Sequence, residues 1–248
     1  MKKFVLIQEY YEPNTNMNAL SKDRILEIRS VLNINLNNPL IHKIILLNEC
    51  EYEYINEYIH AHDKLEVIIT GHRLSFSMVF QYLLQTYDTH GDEIIIVSNN
   101  DIFLYDDESF NNINAVLLHD NRTVIALSRW EIRGSFITLF DSEYSQDTWI
   151  FVLPDKDVLE RLIERTQFYF GLLACDNRIA YEFKQESFIL RNIPYDVITV
   201  HNHRSNFRTY NNGTYLSGPI TTVPIQRIIG PVVIIENEVL FIRFTRTT

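Results

Sequence analysis

Short apolar runs alternate with amphipathic stretches along the first hundred residues of the chain. Runs rich in Ile, Val and Leu predict four buried strands, at 4–8, 43–47, 65–70 and 93–98. Between them, apolar residues recur at helical spacing and predict three helices, at 21–32, 52–59 and 75–87, with Ser21 as the N-cap of the first. Strands that alternate with helices are typical of βαβ units, so this part of the chain predicts a mostly parallel sheet flanked by helices.

The pattern changes in the second half of the chain. Three strand-like runs follow one another at 124–131, 135–141 and 148–153, and Pro154 then opens an amphipathic helix that is predicted to reach about residue 170. From Tyr195 the chain is rich in β-formers and turn residues. We therefore predict an α/β fold with one Rossmann-like catalytic domain, and a β-rich extension packed on it.

The boundary between these two parts is predicted near residue 212, which gives a domain over 1–212 and an extension over 213–248. With 248 residues, 46% of them hydrophobic, the chain can bury a sizeable core. The net charge of −10 argues against a nucleic-acid-binding surface, which normally carries a basic patch. A nucleotide needs only a local cation, so nucleotide binding remains compatible with this charge.

The cysteines and the apolar runs indicate the compartment. Cys50 and Cys175 are isolated in the sequence and share no metal-ligand spacing. We therefore expect no disulfide framework, and we expect the protein to work in a reducing, cytosolic setting. No run approaches the roughly 20 apolar residues of a membrane span. The apolar run at 4–7 is too short for a signal peptide. A soluble, cytoplasmic protein is predicted.

Asn99-Asn100-Asp101 directly follows the fourth predicted strand. In open α/β sheets, ligands lie at the carboxyl ends of the strands. A carboxylate held there suits a divalent metal that carries a phosphate, since Mg²⁺ and Mn²⁺ take protein carboxylates together with phosphate oxygens. Taken alone, the triplet is more often a plain turn.

Other polar residues fall beside predicted strands and helices. Asp147 precedes the run 148–151, where it is either a general base toward a hydroxyl or a turn residue. Asp176 and Asn177 follow the predicted helix 154–170, a position that by itself carries little weight. Arg129 lies within the predicted strand 124–131, and a buried arginine there needs either a carboxylate such as Glu131 or a ligand phosphate.

His201 and His203 follow the run 197–200, beside Arg204 and Arg208. Because the two histidines lie two residues apart on an extended segment, we expect them to point to opposite sides, so that at most one meets a given metal ion. The neighbouring arginines favour contact with an anion.

Several common motifs are missing from the sequence. With seven glycines in total, the chain has neither GxGxxG nor GxxxxGK[ST], which disfavours Rossmann dinucleotide binding and P-loop hydrolysis. It also has no HExxH and no GxSxG.

Five segments, taken in order, resemble a family of GT-A-type glycosyltransferases found in bacteria, algae and large DNA viruses. They are SNNDIFL, ALSRWE, SQDTWIF, FYFGLLACDNRIAYEF and ITVHNHRSNFRTY. The corresponding family patterns are close to NSDI, ALSR, SQDxWIF, GCDNR and HxHxSxxRxY. The resemblance extends over 4–210, and SQDTWIF and CDNRIAYE are its most specific parts.

The resemblance implies a GT-A-like fold, a UDP- or GDP-sugar donor, Mn²⁺ or Mg²⁺ on the donor diphosphate, and transfer of the sugar to a glycan or other hydroxyl acceptor. Asn99-Asn100-Asp101 then stands where GT-A enzymes carry Asp-x-Asp. Asn99 departs from that motif, which leaves Asp101 as the main metal-binding carboxylate, with His201 or His203 as a further ligand. Asn99 and Asn100 would supply at most a neutral oxygen or a ribose contact.

The same resemblance implies roles for the remaining residues. Asp147 would be the acceptor-side base if the reaction inverts, and Asp176 and Asn177 would hold the sugar. The nucleotide contacts would come from Gln8, Tyr10 and Arg73, and Arg129 or Arg204 would neutralise charge on the diphosphate.

Two alternatives stay open. A sugar nucleotidyltransferase normally shows a glycine-rich loop near its first strand, where this chain has Pro13-Asn14-Thr15-Asn16. A non-catalytic protein of the same fold, which binds nucleotide or glycan without turnover, is favoured by the absence of an aspartate at position 99. The sequence leaves open the sugar and the nucleobase of the donor, the acceptor, and whether the transfer inverts the anomeric carbon. It also leaves open whether the chain forms a homo-oligomer.

Overall fold

The computed structural model describes residues 2–13, 19–59, 62–88, 91–205, 207, 215–227, 229–236 and 239–245. The helices are α1 (Ala19–Asn37), α2 (Glu53–Ile59), α3 (Phe76–Thr86), α4 (Asp107–His119), α5 (Lys156–Arg165) and α6 (Cys175–Gln185). The strands are β1 (Lys3–Gln8), β2 (Ile41–Asn48), β3 (Leu65–Ile69), β4 (Glu93–Ser98), β5 (Ile102–Leu104), β6 (Thr123–Leu127), β7 (Trp130–Arg133), β8 (Phe136–Leu139), β9 (Thr148–Val152), β10 (Ile189–Arg191), β11 (Thr199–His201), β12 (Ile229–Glu236) and β13 (Val239–Thr245).

A seven-stranded sheet forms the centre of the molecule, in the order β10-β6-β9-β4-β1-β2-β3. Strands β1, β2, β3 and β4 pair in parallel, as do β6 and β10. Strand β9 is antiparallel to both of its neighbours, β4 and β6. The predicted α/β fold with a large, mostly parallel sheet flanked by helices is confirmed.

Both faces of this sheet are covered by helices, which explains the continuous apolar runs of its strands. Successive residues alternate between two cores. Val5 and Ile7 of β1 pack in the core that contains Phe80 of α3 and Phe183 of α6. Phe4 and Leu6 pack in the opposite core with residues of α1 and α4.

A second sheet, in the order β5-β11-β7-β8, lies beyond the end of β4. Strand β5 begins directly after Asp101 and pairs antiparallel with β11, so that His201 lies opposite Ile102. Strand β7 pairs in parallel with β11 and places Glu131 opposite His201. This small sheet therefore brings residues a hundred positions apart to the edge of the central sheet.

The predicted single strand at 124–131 is wrong, because the structure divides it between the two sheets. Strand β6 belongs to the central sheet and β7 to the second one. At the break, the Ser128 amide donates to Asn192 Oδ1 at 2.9 Å instead of continuing the ladder. Arg129 therefore lies between two strands, and not within one.

The helix predicted from Pro154 to about residue 170 is also too long. Helix α5 ends at Arg165, and Phe168 and Phe170 continue as an extended segment beside α3. The Phe170 ring stacks on Phe76 at 4.0 Å between centroids, and the Phe170 amide donates to the Leu74 carbonyl at 3.0 Å. Aromatic packing and pairing with a neighbouring segment outweigh the local helical pattern.

Helices were missed or misplaced elsewhere. Asp176 and Asn177, interpreted as following a helix, lie in the first turn of α6. Helix α4 was not predicted, and α1 is longer than predicted, so that Ser21 lies inside it and is not its N-cap. Among the described residues, no helix is long and apolar enough to cross a membrane.

Residues 215–227 run over the surface of the main body in extended conformation. The Val223 amide donates to the Glu143 carbonyl at 3.0 Å, and the Leu216 amide donates to the Leu173 carbonyl at 2.9 Å. Strands β12 and β13 form an antiparallel pair. The predicted domain boundary at 212/213 and the polar turn Asn14-Thr15-Asn16 lie outside the described residues, so the division into 1–212 and 213–248 stays a prediction.

Candidate functional site

A cleft of about 1190 Å³ opens at the carboxyl ends of β1 and β4, between the central and second sheets. Ten of the residues singled out in the sequence line it: Arg73, Asn99, Asn100, Asp101, Arg129, Asp147, Asp176, His201, His203 and Arg204. Strand ends, the loop after β11 and the first turn of α6 supply these side chains. The fold thus brings together positions that are spread over more than half of the chain.

Three of the predicted site residues do not line the cleft. Gln8 is buried, and its Nε2 donates to Ser98 Oγ at 2.9 Å and to the Asn99 carbonyl at 2.7 Å. Tyr10 is buried and donates its hydroxyl to Glu12. Gln8 therefore holds the turn that carries Asp101, while Tyr10 belongs to the core.

Asn177 is the third of these residues. Its side chain is buried, and Nδ2 donates to the Thr221 carbonyl at 3.3 Å. The Thr221 amide donates in turn to the Asn177 carbonyl at 2.9 Å. These bonds attach residues 215–227 to helix α6 beside the cleft.

Asp101, His201 and His203 form a cluster whose potential metal-ligating atoms all lie within 4.8 Å of one another. The expectation that at most one histidine meets a given metal was wrong. The expectation overlooked that side chains two residues apart on an extended segment share a face. Both imidazoles therefore approach the same carboxylate.

The hydrogen bonds of His203 determine which of its nitrogens is available. Nε2 donates to the Phe207 carbonyl at 2.8 Å, which leaves the Nδ1 lone pair 4.0 Å from Asp101 Oδ2. Burial and the nearby Arg24 lower the pKa of His203 to about 4. The ring is neutral at pH 7, the form in which imidazole binds metals.

Asp101 is buried and carries a negative charge at neutral pH. Burial opposes ionisation, but His201 and Arg24 outweigh it and hold the pKa of the carboxyl below its usual range. Its Oδ2 accepts from Arg24 and lies 2.8 Å from His201 Nε2. Its Oδ1 is buried without a hydrogen-bond partner among the described residues. An unpartnered carboxylate oxygen beside two imidazoles fits a divalent cation.

Arg24, on helix α1, is a buried site residue that sequence analysis missed. Besides Asp101, it donates to the Asn202 carbonyl at 3.2 Å and to Glu27 at 3.3 Å. Glu27 also accepts from the amides of Arg204 and Ser205, at 2.8 and 2.6 Å. Helix α1 therefore fixes the loop that carries His203. Arg24 lies four residues before Ile28, on the apolar face of α1. This spacing is the feature of the sequence that could have indicated that Arg24 is buried.

A second group of charged side chains lies near Asn99, at the start of the turn Asn99-Asn100-Asp101. Arg129 donates to Asp147, and its Nη2 donates to Glu131 at 3.1 Å. Asn99 Nδ2 donates to the other oxygen of Asp147 at 2.7 Å. Of the two partners considered for Arg129, the structure shows the carboxylates. Asn99 links the Asp101 turn to Asp147.

Asp176 projects into the cleft from the first turn of α6. Burial, and then the negative charge of Asp147, raise the pKa of Asp176 to about 8. At neutral pH this carboxyl is largely protonated and can donate a hydrogen bond. Carboxyls with such shifts in a cleft are candidates for functional residues.

Three arginines of the cleft are exposed, and one of them, Arg133, pairs with Glu131 at 3.0 Å. The other two are Arg73 and Arg204, and Gly171 leaves room for Arg73, since a Cβ at that position would lie 2.7 Å from Arg73 Nη2. Arg208, which the sequence placed beside Arg204, lies outside the described residues. The guanidiniums of Arg73 and Arg204 can contact an anion without breaking a buried ion pair.

Solved structures of sugar transferases share this fold. The mannosyltransferase PcManGT from Pyrobaculum calidifontis, in complex with GDP-Man and Mn²⁺, aligns with a TM-score of 0.54 at 10% identity, over 81% of this chain and 57% of that one. GalNAc-T7 with UDP, GalNAc and Mn²⁺ aligns with a TM-score of 0.52 at 11% identity, over 82% and 44%. This chain therefore spans about half the length of these two proteins.

A protein from Desulfovibrio desulfuricans G20, assigned to the nucleotide-diphospho-sugar transferases, aligns with a TM-score of 0.51 at 10% identity, over 77% of this chain and 79% of that one. Neither a family model nor a curated protein matches the sequence. At these identities the likeness concerns the fold, which is the GT-A-like fold of nucleotide-sugar transferases, as predicted.

Proposed function

We propose that this protein is a metal-dependent glycosyltransferase that moves a sugar from a nucleoside-diphosphate sugar to a hydroxyl acceptor. The observation that carries the proposal is the cluster of Asp101, His201 and His203 at the carboxyl ends of the strands, in a fold shared with nucleotide-sugar transferases. Open α/β sheets bind their ligands at this edge.

Asp101, His201 and His203 would hold Mn²⁺ or Mg²⁺. When bound, the ion supplies positive charge to the diphosphate as the sugar leaves it. Arg73 and Arg204 are exposed on the same cleft and are placed to contact the phosphates of a UDP- or GDP-sugar. The proposal of either nucleotide for this chain rests on the cleft itself and on the GDP-Man and UDP bound in the similar structures.

The transfer forms a bond between the acceptor oxygen and the anomeric carbon of the sugar. The bond from that carbon to the diphosphate oxygen breaks, and its electron pair leaves with the diphosphate. The acceptor proton passes to a carboxylate, for which Asp147 is the candidate if the reaction inverts. Arg129 and Asn99 hold Asp147 in place, while protonated Asp176 can donate to a sugar hydroxyl.

The proposal is tested first by metal binding. Isothermal titration with Mn²⁺ is expected to show one site in the wild-type protein, and about a tenfold or greater loss of affinity in Asp101→Asn and in His203→Gln. Asp107→Asn removes an exposed carboxylate six residues away and serves as the matched control. If Asp101→Asn does not fold by circular dichroism, His203→Gln decides the outcome.

Turnover is tested next, with UDP- and GDP-sugars and Mn²⁺. We expect slow donor hydrolysis that releases nucleoside diphosphate and is lost in Asp101→Asn. Release of pyrophosphate from a nucleoside triphosphate and a sugar phosphate would instead show a nucleotidyltransferase. Binding of the donor without cleavage would show a non-catalytic protein. Either result would contradict the proposal.

A further inference from the structure

A second cavity, of about 560 Å³, opens next to the main cleft. It is lined by the loop Asp141–Tyr144 after β8, by Tyr195 and by Pro224 of the C-terminal segment. Ser142 and Tyr144 line both cavities, so the two lie next to each other. Its volume falls within the roughly 300–1000 Å³ of small-molecule sites.

Two tyrosine rings form the walls of this second cavity. Tyr144 is 60% exposed and Tyr195 is 43% exposed. Two contacts hold Tyr195 in position: its ring meets Trp130 edge-on at 5.8 Å, and the Arg227 guanidinium lies 4.1 Å from its centroid. Trp130 is itself held by a bond from Nε1 to the Pro194 carbonyl at 2.8 Å. An exposed ring that is held in position offers contact area at little cost in side-chain entropy.

The charged residues that line the cavity, Asp141 and Glu143, are both acidic. Neither the Asp141 nor the Glu143 carboxylate has a hydrogen bond or ion pair within the part of the chain that the structure describes. The loop backbone is nevertheless fixed, since the Ser142 carbonyl accepts from Ser128 Oγ at 2.8 Å and the Glu143 carbonyl from the Val223 amide. The cavity thus presents hydrogen-bond acceptors on an ordered loop.

We propose that this cavity binds the acceptor, and that the acceptor is an uncharged saccharide. This inference rests on the proposed glycosyltransferase function. Sugar rings present apolar C–H faces to aromatic side chains, and their hydroxyls donate to carboxylates. A phosphorylated or uronic acid acceptor would meet like charges at Asp141 and Glu143, which disfavours it.

The position of the cavity agrees with this role. The loop that forms it leads directly to Ser145, whose hydroxyl accepts from Arg129 at 3.1 Å, and to Asp147. An acceptor bound in the second cavity lies beside Ser142 and Tyr144, which also border the main cleft that Asp147 lines. The proposal directs one hydroxyl of this acceptor toward Asp147, the carboxylate proposed to take the proton.

Saccharide binding is the direct test. Saturation-transfer NMR with lactose, maltose, cellobiose and methyl mannoside is expected to show binding to the wild-type protein, and glucuronic acid and glucose 6-phosphate none. Tyr195→Ala is expected to weaken the binding about tenfold or more, as loss of an aromatic anchor does. Tyr105→Ala, which removes a tyrosine that is 58% exposed and lies on neither cavity, is the matched control.

The acidic residues have a test of their own. The double variant Asp141→Asn/Glu143→Gln is expected to keep binding to the uncharged sugars and to admit glucuronic acid. Absence of binding by all four uncharged sugars, preference for the anionic ones, or equal effects of Tyr195→Ala and Tyr105→Ala would overturn the proposal. The proposal would also be overturned if the protein transferred the sugar to a serine-containing peptide and bound none of these saccharides.

A thermal-shift assay with UDP, GDP and Mn²⁺ separates this proposal from the one on which it rests. Nucleotide binding that persists while saccharide binding is absent contradicts the acceptor site alone. Saccharide binding without any nucleotide or Mn²⁺ response contradicts the glycosyltransferase function and leaves a saccharide-binding cavity.

Discussion

At position 99 the chain carries a carboxamide where the resemblance implies a carboxylate. The structure offers a physical reason, because Asn99 Nδ2 donates to Asp147 Oδ1 at 2.7 Å. An aspartate there would have no proton to donate and would place a second negative charge against Asp147. Asn99 therefore suits a site that already holds the carboxylates Asp101 and Asp147, and its hydrogen bond joins the two halves of that site.

Asp176 makes folding stability depend on pH in a direction opposite to that of most carboxyls. Its pKa of about 8 lies above the ordinary aspartate value, so between about pH 4 and pH 8 the folded chain keeps a proton that the unfolded chain has released. The contribution of this group is most favourable below about pH 4, and stability falls as the pH rises through that window. Asp176→Asn removes this dependence.

We therefore expect Asp176→Asn to have a higher melting temperature than the wild-type protein at pH 8, and the difference to shrink toward pH 4. Each kcal/mol that is relieved corresponds to roughly 2–4 °C in a chain of this length. Differential scanning calorimetry between pH 4 and 8 measures the difference. Asp63→Asn, at an exposed position, is the control. A difference that is constant with pH would contradict the assignment.

Strand β1 positions the site through a residue that never reaches the cleft. Gln8, its last residue, supports the turn at 98–102 through Ser98 Oγ and the Asn99 carbonyl. Both partners belong to the segment that presents Asp101. The end of a buried strand thus sets the position of Asp101 in the cluster with His201 and His203.

Gln8→Leu is expected to destabilise the fold by about 1–3 kcal/mol, because it leaves buried polar groups of that turn without a partner. Since the same turn carries Asp101, Mn²⁺ affinity is expected to fall about tenfold, as when a group that supports a ligand is removed. Urea unfolding and Mn²⁺ titration measure the two effects. Gln81→Leu, on the exposed side of α3, should change neither. Loss of stability with unchanged Mn²⁺ affinity would show that Gln8 acts only in folding.

The sequence predicted strands more reliably than helices, because uninterrupted apolar runs are easier to recognise than apolar positions scattered among polar ones. The runs that became β1, β2 and β4 are apolar on both faces because both faces are buried, so each run marks a strand. Helix α4 was missed because its apolar positions, Phe110, Ile113 and Leu117, lie among polar residues and begin after a short strand. The break at Ser128 depends on Asn192, far along the chain.

Over the whole molecule, Asn192 connects three separate segments. It is buried, and its Oδ1 accepts from the Ser128 amide while Nδ2 donates to Ser128 Oγ and to the Val223 carbonyl, each at 2.9 Å. Its own carbonyl accepts from the Gln226 amide at 2.6 Å. One side chain thus joins the break between the two sheets to the C-terminal segment that walls the second cavity.

Asn192→Ala is expected to cost about 1–3 kcal/mol for each buried group that it leaves unsatisfied. Because the segment 215–227 loses an anchor, its amides, including Val223 and Gln226, are expected to exchange faster with deuterium while those of β1 and β4 keep their protection. Urea unfolding and hydrogen exchange provide the two measurements. Asn111→Ala, at an exposed position of α4, is the control. Uniformly faster exchange over the chain would indicate a general loss of stability instead.

The sequence by itself determined the strands and the fold class that patterns of neighbouring residues specify. Apolar runs and their spacing specified β1 to β4 and the α/β class, and polar residues at strand ends indicated most of the cleft, because side chains at the carboxyl ends of parallel strands share one edge. The resemblance added which chemistry those residues suit.

Only the tertiary structure decided which of these residues meet. The pairing of β11 with β5 brings both His201 and His203 to Asp101, and the burial of Arg24 on α1 supplies the partner of that carboxylate. The tertiary structure also showed that Gln8 and Asn177 support the site from outside the cleft and that Tyr10 belongs to the core. Such contacts join residues that are far apart in the chain, and they depend on how sheets and helices pack, which no local pattern records.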